Sequence, residues 1–319
     1  MVKLEKNLRA KTGRRGEKKQ QTYMIIDNIQ YWILILPALI YILIFNYIPM
    51  VGTVIAFKSY RYDLGMFKSP WVGLNNFKYF FASQDAWIIT RNTVGYGALF
   101  IVLKIVCAVA IAVLLYEINN RIALKFYQTT MILPNFMSWV VVGYISYILL
   151  NSNGVMNQIL ALFGKKPVQW YSEPKYWPFI LSSFNVWKNV GMDCVVYYAA
   201  LMGLDNSIFE AAEVDGAGRW KRIRHITIPS LIPMITILSI LAVGGIIRGD
   251  FGLFYQITGD SKLLYPVTDI IDTYVYRGIR TGDIGASSAV GLFQGVVGLI
   301  LVVTTNSIVK KISPENAMF

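Results

Sequence analysis

The chain has 319 residues, of which 55% are apolar and only 15% charged, with a mean hydropathy of +0.49; a soluble domain carries about a quarter of charged residues, so that class is excluded and a polytopic membrane protein is implied. The formal charge of +12 does not mark a nucleic-acid binder, because the basic residues are spread over the polar segments between apolar runs, where topology and anionic lipid account for them. Cys107 and Cys194 lie inside apolar runs without C-x-x-C spacing, so neither a disulfide framework nor a metal site is implied and both read as packing residues.

Residues 1–30 open with a basic run, Lys3 to Lys19, that lacks the apolar core and small-residue cleavage site of a secretory signal; they read as a cytoplasmic N-terminal tail. A first span, 31–57, is long enough to cross about 30 Å of hydrocarbon, and Pro37 and Pro49 should kink it or mark its ends. The segment 58–86 is polar and aromatic. Further spans are expected at 87–116, 126–150, 176–201, 231–251 and 286–309, with polar segments at 117–125, 151–175 and 252–285 and a C-terminal tail at 310–319. Gly244-Gly245 is a close-packing or bending point. The six spans form one all-α transmembrane domain, 31–309. Six crossings put both ends on one side, and the basic residues say which: sixteen lie in the two tails and in the segments at 117–125 and 203–230, against ten on the opposite side. That bias predicts cytoplasmic termini.

The polar stretch between the fourth and fifth spans, 203–230, carries the most information. Ser207 and Glu210 fit a capping box, Asp215-Gly216 is a turn signal, and Pro229 should end a second short helix. Two short amphipathic helices with a bend are expected. The stretch closely resembles the EAA loop of bacterial ATP-binding-cassette importer permeases, with Glu210-Ala211-Ala212, Asp215-Gly216-Ala217, Ile226, Pro229 and Pro233 in register. Trp71 to Phe77, Leu133-Pro134 with Ser138, Thr268 to Tyr276 and Ala289 to Gln294 are similar to stretches of the same family, the last two to its oligosaccharide branch.

The resemblance implies a type I importer permease fold in a bacterial cell membrane. It implies a heterodimer with a second permease, two cytoplasmic ATPases that carry the ATP and Mg, and an external solute-binding protein that delivers a sugar, most simply an oligosaccharide. It also implies that Glu210, Ala211, Ala212, Asp215, Gly216, Ala217 and Pro229 couple the spans to the ATPases. The chain itself has no P-loop, metal-ligand motif or nucleophile elbow, so no catalytic role is assigned to it. An ion-coupled carrier, for which Asp193 is the clearest carboxylate at membrane depth, and a non-transporting receptor or scaffold are the alternatives.

Polar groups at membrane depth are costly enough to be functional candidates. Asn185, Trp187, Lys188 and Asn189 in the fourth span read either as a wall that binds sugar hydroxyls, with Trp187 stacking on a ring, or as interhelical packing against a partner permease. Phe293 and Gln294 are pathway candidates in the sixth span, where Gly291 and Gly295 have helix-packing spacing. Lys104 is deep; with Lys188 it hints at an acidic sugar. Arg91 should snorkel to the interface, and Arg248 and Asp250 belong to the headgroup region or a cavity mouth. Arg219, Lys221, Arg222 and Arg224 meet acidic groups on the ATPase, anionic lipid, or only solvent. His225, the sole histidine, reads as a solvated cytoplasmic group.

Overall fold

The computed structural model describes residues 29–312; the basic run of the N-terminal tail and residues 313–319 of the C-terminal tail lie outside the described residues. Those described are helical, with a single isolated bridge between Lys58 and Trp71. They divide into two compact units, one ending at Val54 and one beginning at Ile55.

In the first unit the helix α1 (Ile29–Ile42) runs through Pro37 and continues as a π-turn, Leu43–Tyr47, ahead of Pro49. A π-turn in front of a proline accommodates its missing N–H without ending the helix. Side chains from Tyr31 to Val51 are exposed, as those of an almost wholly apolar helix with lipid as solvent would be.

The second unit is built on α3 (Gln84–Tyr116), which packs along α7 (Trp177–Met202). Before α3 lies the short α2 (Asn75–Ala82). The stretch Trp71 to Phe77 shapes this entry: Gly73 takes φ +58°, Asn76 Nδ2 donates to the carbonyls of Ala56 at 2.9 Å and Lys58 at 3.0 Å, and Phe77 packs on Phe57. After α3 come α4 (Arg121–Ile132), α5 (Trp139–Leu150), α6 (Val155–Leu162), α7, α8 (Asn206–Val214), α9 (Ile228–Gly244), α10 (Ile271–Thr281) and α11 (Ile284–Ile312). Three clusters fill the core, centred on Tyr96, Trp177 and Phe254, on Tyr197, Leu201 and Leu231, and on Phe80, Ile89 and Ile271.

Among the described residues, five helical stretches are long and apolar enough to cross a membrane: 31–57, 84–116, 139–162, 219–244 and 284–311. The fourth expected span is present as the 26-residue α7 but falls short in apolarity because Asn185, Lys188, Asn189 and Asp193 sit within it. The third expected span is not one helix. Pro134 opens a tight 3-10 turn, Leu133–Phe136, after α4, and Ser138 restarts the chain by capping α5, its Oγ accepting from the Val141 N–H at 3.3 Å. The fifth ends at Gly244 rather than 251, where a Cβ would come within 2.7 Å of Val302.

Candidate functional site: a coupling loop and a polar cavity

The loop at 203–230 departs from expectation at both ends. The N-cap of α8 is Asp205, whose carboxylate accepts from the Ser207 N–H at 2.9 Å; the Ser207–Glu210 capping box does not form. Asp outcompetes a serine two positions into the first turn because its charge also favours the positive end of the helix. The Ser207 N–H holds the Asp205 carboxyl below the usual carboxylate range.

The C-terminus of α8 is a Schellman stop: the Ala217 N–H reaches the Ala212 carbonyl at 2.9 Å and the Gly216 N–H reaches Glu213 at 3.0 Å, with Gly216 at φ +73°. That left-handed position favours glycine. The second correction is Pro229. The helical run begun at Arg219–Arg222 widens into a π-turn over Ile223–Thr227 and passes through Pro229, at the start of α9, as far as Gly244. The widened turn absorbs the proline, so the bend at Gly216 feeds one long helix rather than a second short one.

On α8, Ser207, Glu210, Ala211 and Val214 form one exposed face at i, i+3, i+4 and i+7. Val214 is 89% exposed and Trp220, on the next helix, 83%. The opposite face is anchored: Phe209 packs on Tyr116 at the end of α3, 5.7 Å between centroids, and Arg219 pairs with Glu117 at 3.1 Å. Arg222 pairs with Glu213 at 2.9 Å, closing the bend. His225 is exposed and its Nδ1 lies 3.0 Å from the Lys221 carbonyl.

Deeper in the second unit, α3, α7 and α9 enclose a cavity of about 470 Å³ lined by Lys104, Asn185, Asp193, Tyr197 and Asp250 among apolar residues. Lys104 Nζ stands 3.8 Å from Asp193. Asn185 is 3% exposed, and its Oδ1 makes no hydrogen bond among the described residues. Asp250, not Arg248, reaches the cavity, and its Oδ1 accepts from the Leu253 N–H at 3.2 Å.

Of the fourth-span candidates only Asn185 lines this cavity. Lys188 is buried, and its ammonium donates to the carbonyls of Pro134 at 3.3 Å, Asn135 at 2.8 Å and Met137 at 2.7 Å. It serves the break in the third span, whose carbonyls have lost helical partners. Asn189 accepts from Asn135 Nδ2 at 3.4 Å, and a Cβ at Gly191 would collide with the Met131 carbonyl. The packing partner of this face is therefore the chain's own α4–α5 break. Trp187 is 42% exposed and does not line the cavity.

Phe293 and Gln294 also lie off it. Phe293 meets Phe81 edge-on at 5.1 Å, and Gln294 Nε2 donates to the Ile247 carbonyl at 2.9 Å and Asp272 at 3.0 Å. Gly291 and Gly295 have open space at their Cβ positions, so their spacing is not used for packing among the described residues. Arg91 does not simply snorkel: it donates to the Pro266 carbonyl at 2.7 Å.

Sequence reasoning missed Arg277, which bridges Asp260 at 3.3 Å and Asp269 and lies 4.0 Å from the centre of the Tyr265 ring. Asp260 and Asp269 are too far from it in sequence for a helical-spacing rule to reveal the network.

Residues 104–315 match the family model described as binding-protein-dependent transport system inner membrane component. The chain is 34% identical over 304 residues to the polygalacturonan/rhamnogalacturonan transport system permease protein YteP of Bacillus subtilis (strain 168), covering 95% of this chain and 94% of that one. A crystal structure of a bacterial ABC transporter involved in the import of the acidic polysaccharide alginate contains a chain that superposes with a TM-score of 0.84 at 30% identity, over 92% of this chain and 99% of the other. A second alginate transporter structure, in complex with an alginate pentasaccharide-bound periplasmic protein, gives 0.82 at 30% identity, over 91% and 96%.

Proposed function

From the premise that this chain belongs to the family of binding-protein-dependent transport system inner membrane components, as a permease component of a carbohydrate ATP-binding-cassette importer, we propose that it translocates an acidic oligosaccharide handed over by an external solute-binding protein. The observation that carries the coupling is α8: a helix stopped at both ends by its own caps, exposing Ser207, Glu210, Ala211 and Val214 while Phe209 and Arg219 hold it to the end of α3. An exposed apolar residue on a rigid, pinned helix suits a subunit that inserts it into a cleft.

In this reading the partners are a second permease and two ATPase subunits. ATP and Mg are bound on those ATPases, and this chain hydrolyses nothing. Both termini lie in the cytoplasm with α8. Closure of the ATPases moves α8 as a body, and the displacement passes to α3 through Phe209–Tyr116 and Arg219–Glu117. It passes to α9 through the unbroken helix from Arg219. The cavity around Asn185 lies between these two receivers, where a tilt of either changes its access.

The acidity of the sugar is supported by the named cargoes of the similar transporters. Lys188 lends it no support, because its charge is taken up by three carbonyls. An ion-coupled carrier would want an unpaired carboxylate in the spans, and Asp193 faces Lys104.

The test is uptake of radiolabelled oligosaccharides, with ATP hydrolysis, in proteoliposomes holding the chain and its co-purified partners, with and without the solute-binding protein. Hydrolysis that rises with loaded binding protein, accompanied by uptake of oligogalacturonides in preference to neutral maltodextrins, is the expected result. Uptake driven by an imposed ion gradient without hydrolysis overturns it.

A further inference from the structure

The segment between α9 and α11 carries a feature that neither the coupling loop nor the cavity uses. Phe251 and Tyr255 stack with centroids 5.0 Å apart and planes 15° from parallel. Tyr276, on α10, meets Phe251 at 4.9 Å and stands edge-on to Tyr255 at 5.0 Å. Arg280 Nη1 donates to the Tyr255 hydroxyl at 3.3 Å, and its guanidinium lies 5.8 Å from the centre of the Tyr276 ring.

Asp272, Tyr276 and Arg280 are spaced i, i+4, i+8, so they run down one face of α10 over about 12 Å. At the Asp272 end, its Oδ2 is engaged by the Gly249 N–H at 2.8 Å and by Gln294 at 3.0 Å, beside the exposed Arg248. The result is a strip with aromatic rings in its middle and an exposed arginine at each end.

The two arginines of α10 show why this strip is not ordinary packing. Arg277 is partly buried and paired with two carboxylates. Arg280, three residues on, is exposed, and like Arg248 it has no ion pair among the described residues. Its planar fork is held at the edge of two tyrosines, one of which, Tyr276, is 36% exposed. A guanidinium oriented by an aromatic face and lacking a carboxylate is set to accept one from outside in the two-pronged geometry arginine favours. Aromatic faces beside it offer the apolar area that the C–H side of a sugar ring needs.

We propose that the strip formed by Tyr255, Tyr276 and Arg280, with Arg248 at its far end, is a binding subsite for a uronate-bearing oligosaccharide: a pyranose ring lies against the tyrosines and its carboxylate pairs with Arg280. This rests on the acidic-oligosaccharide reading above. It assigns the sugar a contact on the segment between the fifth and sixth long helices, separate from the Asn185 cavity.

The experiment uses the whole transporter complex in nanodiscs without the solute-binding protein, and measures equilibrium binding of labelled trigalacturonate. Arg280→Gln should weaken binding about tenfold, the loss expected for one charged hydrogen-bonded contact. Arg280→Lys should recover part of it, and the methyl-esterified trisaccharide should bind wild type about as weakly as the acid binds Arg280→Gln. Equal binding by wild type and Arg280→Gln overturns the subsite. So does a wild type that imports trigalacturonate with its binding protein yet binds none without it, and here the function reading survives. If Arg280→Gln leaves sugar binding intact but raises the binding-protein concentration needed to stimulate hydrolysis, the strip docks that protein instead. A wild type that neither binds nor imports any acidic oligosaccharide overturns both readings together.

Discussion

The chain stops a helix in two important places, after α8 and after α4, and the two stops have different physical origins. After α8 everything needed is within six residues: Gly216 supplies the left-handed backbone, and Ala217 and Gly216 return their N–H groups to the last turn. After α4 the local sequence supplies Pro134 and Ser138, but the carbonyls left bare are satisfied by Lys188, more than fifty residues away on α7. A locally closed stop stays rigid whatever surrounds it, which suits the force-carrying helix proposed above. A stop closed by another helix ties two spans into one unit, which suits a wall.

Substitutions sharpen this contrast. The largest loss is expected for Gly191→Leu, because even a Cβ there collides with the Met131 carbonyl. Forcing the α4–α5 break off α7 should cost about 3 kcal/mol or more, read as a fall in detergent-solubilised melting temperature and yield; a stable, monodisperse variant would show that the break does not depend on α7.

Lys188→Met comes next. It keeps most of the apolar stem but leaves the carbonyls of Pro134, Asn135 and Met137 short of a donor, a loss of about 1–3 kcal/mol that the same thermal assay measures. Wild-type stability in this variant would mean that water replaces the ammonium and that Lys188 does not tie the two spans together.

Gly216→Ala should have the smallest effect on stability, about 1 kcal/mol for an L-residue at φ +73°, confined to the loop. Its signature is functional: insertion and melting stay near wild type while uptake per ATP hydrolysed falls. Full coupling in this variant would remove α8's stop from the force path.

How much was legible follows the same division. Composition and hydropathy identify a helical membrane protein because the burial of apolar side chains in lipid is a property of each run taken alone. The resemblance of 203–230 to an EAA loop is legible as a motif, and Gly216 is legible as a turn, because a left-handed residue advertises itself. Even there, local competition decides the outcome: Asp205 takes the cap from Ser207, and a π-turn lets the chain run through Pro229.

What a polar residue in a span does was not legible at all, since its cost is set by the partner it finds. Lys188, Asn189 and Asn185 sit within five residues of one another on one helix, yet two serve the α4–α5 break and one faces the cavity. Gln294 found Asp272 and the Ile247 carbonyl, and Arg91 found Pro266. By itself the sequence determined the class of the protein, the approximate helices and the turn at Gly216 between the fourth and fifth spans, because helix formation and its termini obey short-range rules. The tertiary structure alone decided which polar groups are spent on holding helices together and which are left for a ligand, because that depends on contacts between residues far apart in the chain.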